Sequence, residues 1–388
     1  MVRLGESRRE SPMSARKPEP GDTQAAPGAH RRAAPKSLGE FKARHDPQTI
    51  ISNLRADLAD AKSHAATAET LREWIGSAKL ALAELQIPKW LDAPKAAGAP
   101  GVPTLQLSDL HWGERVDPKQ IGGVNEYNLA IARRRLETVV RSAVKLGRIL
   151  SPDMAYPGIV VQMLGDMISG NIHEELQATN EINTMPTVLD LYRNLVPALR
   201  LLADAFGHVF VPCVTGNHGR DTRKIWAKDR HHTSFDWLLY QFLAIAFEGD
   251  ARVTFYVPDG SDGLYRVFGL RYLITHGDQF RAGDSIIGPV GPIMRGEQKK
   301  LSRNVAVGQE YDVMCFGHWH KRMISSRLRG NGALKGYDEY ASQGNFGFEL
   351  PLQNFWMNHP DHGITFDAPL LAEDSKRRER TEWVSVAR

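Results

Sequence analysis

YDVMCFGHWH, residues 311–320, runs four apolar residues, Val313 to Phe316, into a glycine and then into two histidines separated by a tryptophan. A short apolar run bounded by turn residues reads as a strand buried on both faces. Where it stops, at Gly317, it presents His318 and His320 at the edge of a sheet, which is where ligands gather in α/β proteins. Alone, a His-x-His pair serves a polar turn as readily as a metal ion. The fold and the chemistry depend on whether other apolar runs in the chain end in the same manner.

Four others do. TLQLSDLHWGE (104–114) ends in Asp109 and His111, and GIVVQMLGDMISG (158–170) in Asp166. VFVPCVTGNHGR (209–220) ends in Asn217 and His218, and RYLITHGDQF (271–280) in His276. Helical patterns lie between several of them, at Leu129 to Leu150 and Phe235 to Phe247. Strands alternating with helices predict an α/β domain with a substantially parallel sheet, whose carboxyl edge would collect all five signatures.

Asp109 and His111, two residues apart, are expected to point the same way from one strand end, as are His318 and His320. Carboxylate, imidazole and amide oxygen together suit Mn, Fe or Zn better than Ca or thiophilic metals. The set exceeds what one tetrahedral ion needs, so two ions sharing a carboxylate account for it best.

The order Asp-x-His, Gly-Asp, Gly-Asn-His, His-Gly, Gly-His-x-His resembles that of the calcineurin-like metallophosphoesterase superfamily, which includes the Mre11-type nucleases. The resemblance covers about residues 102–325, and reaches 370 if NGALKGYDEY (331–340) completes the domain. It implies a sandwich of two mixed β-sheets flanked by helices. It implies that Asp109, His111, Asp166 and His320 hold one metal ion, and that Asp166 bridges to a second held with Asn217, His276 and His318. Two divalent ions about 3.5–4 Å apart would clamp a phosphoryl group and activate a water as hydroxide. His218 is not needed as a ligand, and the resemblance makes it the proton donor or a phosphate contact. Trp319 is expected to turn away and pack.

The match departs at informative places. Gly165-Asp166-Met167-Ile168-Ser169-Gly170 lacks the Asp and Arg of the protein phosphatases and the tyrosine ligand of the purple acid phosphatases. The carboxylate that usually orients the catalytic histidine is therefore missing; His173, Glu174 and Glu175 are the candidates to replace it. Gly219 and Arg220 stand where an acidic residue usually follows Gly-Asn-His.

GRDTRKIWAKDRHH (219–232) is locally basic. Arg220, Arg223 and Lys224 are candidate substrate contacts, and Trp226 can stack on a base. A second basic stretch holds Arg295, Lys299, Lys300 and Arg303 after the glycine-rich RAGDSIIGPVGPIMRG, expected as a loop near the site. Lys335 and Tyr337 are further candidate contacts. These features favour a phosphodiesterase or nuclease on DNA or RNA. The alternatives are a phosphomonoesterase on a nucleotide or small metabolite, and a metal-binding scaffold with an N-terminal interaction module.

The bulk composition sets bounds. The chain has 388 residues, is 42% hydrophobic and carries a net charge of +4, too balanced to indicate a nucleic-acid partner unaided. Its two cysteines, Cys213 and Cys315, lie in apolar runs and read as buried thiols suited to a reducing compartment. MVRLGESRRE at the start has no apolar core of a secretory signal, and no apolar stretch approaches the ~20 residues of a membrane span. A cytoplasmic protein without a membrane partner is expected. Residues 1–45 read as a disordered basic arm, 46–92 as a helical hairpin or coiled coil for self-association, and 93–101 as a linker. The catalytic domain is expected over 102–370 and a charged tail over 371–388.

Overall fold

The computed structural model describes residues 88–91, 101–281 and 288–373. The expected basic arm, nearly all of the 46–92 segment and the linker up to residue 100 lie outside the described residues, as does the tail from 374. Of the 46–92 segment only 88–91 is described: Lys89–Leu91 is a 3-10 turn, and Leu91 is buried.

Six strands form the first sheet. β1 (Val102–Leu107), β2 (Ile159–Met163), β3 (Val209–Pro212) and β4 (Val253–Tyr256) pair in parallel, in that order. On the other flank of β1, β10 (Leu352–His359) and β11 (Gly363–Leu371) add antiparallel. The second sheet runs β5 (Asp262–Val267), β6 (Leu270–Thr275), β7 (Val313–Phe316), β9 (Leu328–Gly330), β8 (Met323–Ile324), with β6, β7 and β9 parallel and both edges antiparallel. The single, largely parallel sheet expected from strand–helix alternation is thus two mixed sheets, as the family resemblance implies.

The strands are buried on both faces because each face has its own cover. In β2, Ile159 and Val161 join the core under the helices, while Val160 between them joins the core between the sheets. In β7, Val313 and Cys315 face that inter-sheet core, and Met314 and Phe316 pack on the far side. Period-two alternation sorts the side chains, and both sets are apolar because neither meets water.

Helices close the outer faces. α1 (Leu129–Leu150) is capped by Asn128, whose side chain accepts from the Ile131 N–H, and buries Ala132, Leu136, Val139, Val140, Ala143 and Gly147 along one stripe. α3 (Thr184–Phe206) and α4 (Phe235–Ala246) complete that layer, with the short α2 (Glu174–Thr179) before them. α5 (Val290–Ala306) buries Ile293 against the second sheet. α5 begins within the glycine-rich stretch expected to be loop. α6 (Glu339–Gln343) is a short turn.

A buried polar ladder joins the sheets. Gln106 donates to Gln162 (3.0 Å) and to the Arg329 carbonyl (3.1 Å), Gln162 donates to the Tyr265 hydroxyl (2.6 Å), and Asn354 donates to Gln106 (2.7 Å). Buried amides are costly unless paired, so these bonds fix how one sheet sits on the other. At the C-terminal boundary, β11 runs to Leu371, and Glu373 pairs with Arg134 and Arg135 at 3.0 Å each.

Candidate metal centre

All five signatures meet at one edge, in the loops that follow β1, β2, β3, β6 and β7. The expectation that Asp109 and His111 alternate along a strand is not met. β1 ends at Leu107, and both residues lie beyond it with positive φ, 52° and 46°. Asp166, His318 and His320 share this left-handed conformation (50°, 68° and 49°). Thus five of the nine non-glycine residues with positive φ among the described residues are candidate ligands. Such backbone costs about 1–3 kcal/mol per residue and persists where neighbours hold it. Here the loops bond to each other: Asp109 N–H to the Gly165 carbonyl (3.1 Å), His111 N–H to the Asp166 carbonyl (3.0 Å), Gly317 N–H to the His276 carbonyl (3.0 Å).

The side chains converge. Nε2 of His111 and Nε2 of His320 lie 3.0 Å apart, and His320 Nε2 is 3.5 Å from Oδ1 of Asp109. Nε2 of His276 lies 3.0 Å from Oδ2 of Asp166 and 3.1 Å from Oδ1 of Asn217. Potential ligand atoms fall into three groups, each within 4.8 Å: Asp109, His111, His320; His111, Asp166, His218; Asp166, His276, His318. His111 and Asp166 each belong to two of these. A fourth group, His231, His232 and Asp259, shares no residue with the others.

The donor set fits cations. Nδ1–H of His276 is committed to the Leu164 carbonyl at 2.7 Å, which leaves Nε2 with a lone pair aimed at two oxygens. Either a proton or a cation must lie among those three acceptors. Burial disfavours the imidazolium, but Asp166 outweighs it and raises His276 to about 10. A metal ion placed there would replace that proton. Elsewhere burial wins: it lowers His318 to about 4, with His276 adding, and lowers His111, with Lys335 adding. Those rings keep free lone pairs. Burial pushes the Asp166 carboxyl up, yet the neighbouring His276 and His218 more than reverse this and hold it ionised.

Backbone donors aim the carboxylates. Asp109 accepts from the His318 N–H (2.9 Å) and the Ser108 hydroxyl (2.5 Å); Asp166 accepts from the His218 N–H (2.7 Å). Gly317 admits this approach, since a Cβ there would collide with Oδ2 of Asp109. Trp319 turns away, packing against the outer core of the second sheet.

His218 is held differently from expectation. Its Nδ1–H donates to the Ser169 carbonyl at 2.9 Å, so a backbone oxygen does what a carboxylate was expected to do. His173 lies edge-on, 6.4 Å between ring centroids, while Glu174 and Glu175 begin α2. Burial lowers His218 to about 3, against the pull of Asp166.

Among the candidate substrate contacts, Arg223 and Lys224 are exposed. Arg220 is turned inward, donating to the carbonyls of Asn217 (2.6 Å) and Thr222 (3.1 Å), where it braces the loop. Lys335 is no substrate contact: it is buried, between Glu114 (2.8 Å) and Asp338 (2.6 Å). Lys300 and Arg303, in the second basic stretch, both pair with Asp262 at 2.6 Å.

Two buried carboxylates escaped the sequence reading. Asp236, at the start of α4, accepts from three backbone N–H groups: Asp166 (3.0 Å), Met167 (3.2 Å) and Gly216 (2.9 Å). It ties the Gly-Asp loop to the Gly-Asn-His loop. The only signal was an acid in the first turn of an apolar helix, which ordinary capping explains. Glu114 lies 3.2 Å from Nδ1 of His111, a buried nitrogen that has no nearer partner among the described residues.

No protein-family model and no curated protein matches this chain. It is similar to solved structures. A predicted phosphoesterase from Streptococcus pneumoniae is 10% identical, with 69% of this chain and 96% of that chain covered, at a TM-score of 0.25. Vps29 from Entamoeba histolytica, complexed with zinc, is 12% identical over 69% of this chain and 99% of that one, with a TM-score of 0.29. Vps29 from Cryptosporidium parvum is 10% identical over 66% and 84%, with a TM-score of 0.25. Likeness at this level carries no weight for activity.

Proposed function

We propose that this chain is a metal-dependent phosphoesterase of the calcineurin-like kind, acting on phosphodiesters of nucleic acid. The observation that carries this is the convergence of Asp109, His111, Asp166, Asn217, His276, His318 and His320 from five strand ends, with Asp166 common to two ligand groups. Asp109, His111, Asp166 and His320 would hold one divalent ion, and Asp166, Asn217, His276 and His318 a second. Bound there, Mn, or Fe or Zn in its place, would supply Lewis acidity to a phosphoryl oxygen and lower the pKa of water so that hydroxide is available as the nucleophile.

The chain's own residues do the remainder. His218 has Nδ1–H fixed on Ser169, so Nε2 is its working atom. It donates to a leaving oxygen only as the imidazolium, a form that burial disfavours and that an anionic substrate restores. The loop holding it carries exposed Arg223, Lys224 and Trp226. Beside His320, Lys321 donates to the Gly347 carbonyl (2.9 Å) and Arg322 N–H to Glu349 (2.9 Å). That links the site to a segment with exposed Tyr340, Phe346 and Phe348. Cations for phosphates and rings for bases support a single-stranded nucleic-acid substrate.

The test offers the Mn-loaded protein a chromogenic phosphodiester, the matching monoester, and single- and double-stranded DNA and RNA. Diester and nucleic-acid cleavage is expected. Monoester turnover alone would remove the diesterase assignment, and bound metal without any turnover would favour the scaffold instead.

A further inference from the structure

Glu114, Lys335 and Asp338 form a buried ionic triad beside the candidate centre, with side chains 7%, 4% and 4% exposed. As a stability device the triad is weak, because apolar replacements of buried ion pairs are often neutral or stabilising. Its placement suggests another use. Oε2 of Glu114 faces Nδ1 of His111 (3.2 Å) and accepts from the Ser169 hydroxyl (3.3 Å), while Oε1 accepts from Lys335 (2.8 Å). Ser169 is the residue whose carbonyl holds His218. One carboxylate therefore touches a candidate metal ligand and the residue that aims the candidate acid.

We propose that Glu114 is a positioning residue, fixed by Lys335, that sets the His111 tautomer for metal binding and holds Ser169 in place for His218. His111 can offer Nε2 to a cation only if its proton sits on Nδ1, and Glu114 is the acceptor within reach of that nitrogen. Lys335 turns the carboxylate towards the ring and is itself held by Asp338, which caps α6 through the Ala341 N–H at 2.7 Å. This rests on the metallophosphoesterase reading for His218 and for the ions, but its first test is binding rather than turnover.

Glu114→Gln keeps the shape and removes the charge. Mn affinity, measured by calorimetry on metal-free protein, should fall about 10–100-fold, the usual effect of losing such an outer partner. At saturating Mn, kcat should fall while KM for a phosphodiester stays unchanged. Glu114→Gln combined with Lys335→Met and Asp338→Asn removes all three charges of the triad, and should melt near the wild-type temperature without metal yet still bind Mn weakly. Wild-type Mn affinity in either folded variant would overturn the proposal. If the wild type hydrolyses nothing while Glu114→Gln still weakens Mn binding, the positioning role stands and the hydrolase reading falls. If the wild type hydrolyses diesters and Glu114→Gln binds Mn normally, the reverse holds.

Discussion

At the scale of single residues, the site divides by which atom each histidine has free. His276 has spent Nδ1 on Leu164 and His218 has spent its own on Ser169. Yet His276 points Nε2 at two oxygens, while His218 stands edge-on to His111 with ring centroids 4.5 Å apart. His318→Ala should therefore lower the bound metal per chain, measured by elemental analysis; unchanged stoichiometry would contradict a ligand role. His218→Ala should keep its metal and slow turnover by about 10²–10⁴, the usual worth of a positioned acid. Loss of metal in that variant would make His218 a ligand, as its place in one ligand group with His111 and Asp166 allows. The residue types were legible in the sequence because each follows an apolar run, and Asp166, Asn217, His218, His276 and His318 stand beside a glycine. Their left-handed backbone was not, because it is imposed by bonds between loops far apart in the chain.

At the scale of elements, Asp236 shows what the sequence withholds. Its position in SFDWLLY gives no hint that three N–H groups from two other loops end on it. Burial, with Asp166 adding, raises its carboxyl to about 7 even against those donors. Asp236→Asn offers one acceptor oxygen and turns an amide towards the remaining N–H groups. A buried unsatisfied donor costs about 1–3 kcal/mol. Urea unfolding should show a loss of that order, and Mn affinity should fall because the Asp166 and Asn217 loops loosen together. A variant as stable as wild type with normal Mn binding would refute the brace. The two helices expected at Leu129–Leu150 and Phe235–Phe247 appear at Leu129–Leu150 and Phe235–Ala246. Their apolar stripes are local information. The division of the eleven strands among the described residues into two sheets is not: Val160 and Val161 look alike in sequence and face different cores.

At the scale of the whole molecule, the sandwich is held by cross-sheet amides and by ion pairs that pin its helices. Asp262 on β5 takes Lys300 and Arg303 of α5. Burial alone would raise this carboxyl, but the two cations outweigh it and hold it below the usual range. Burial also pulls the Lys300 ammonium down, so the pair is worth less than its geometry suggests. A depressed folded pKa means stability present above the unfolded value of about 3.9 and lost as pH falls through the folded one. Asp262→Asn should cost less at pH 7 than the roughly 3–5 kcal/mol of breaking a fully buried pair. The difference from wild type should shrink towards pH 3, and a difference independent of pH would rule out the ion pair as its source. No helix among the described residues is long and apolar enough to cross a membrane.

The most direct measurement is anomalous X-ray scattering from crystals of the Mn-loaded protein. Two Mn peaks on either side of Asp166 are predicted, one contacted by Asp109, His111 and His320 and the other by Asn217, His276 and His318. A single peak, or metal bound elsewhere with these side chains contacting only one another, would contradict the account.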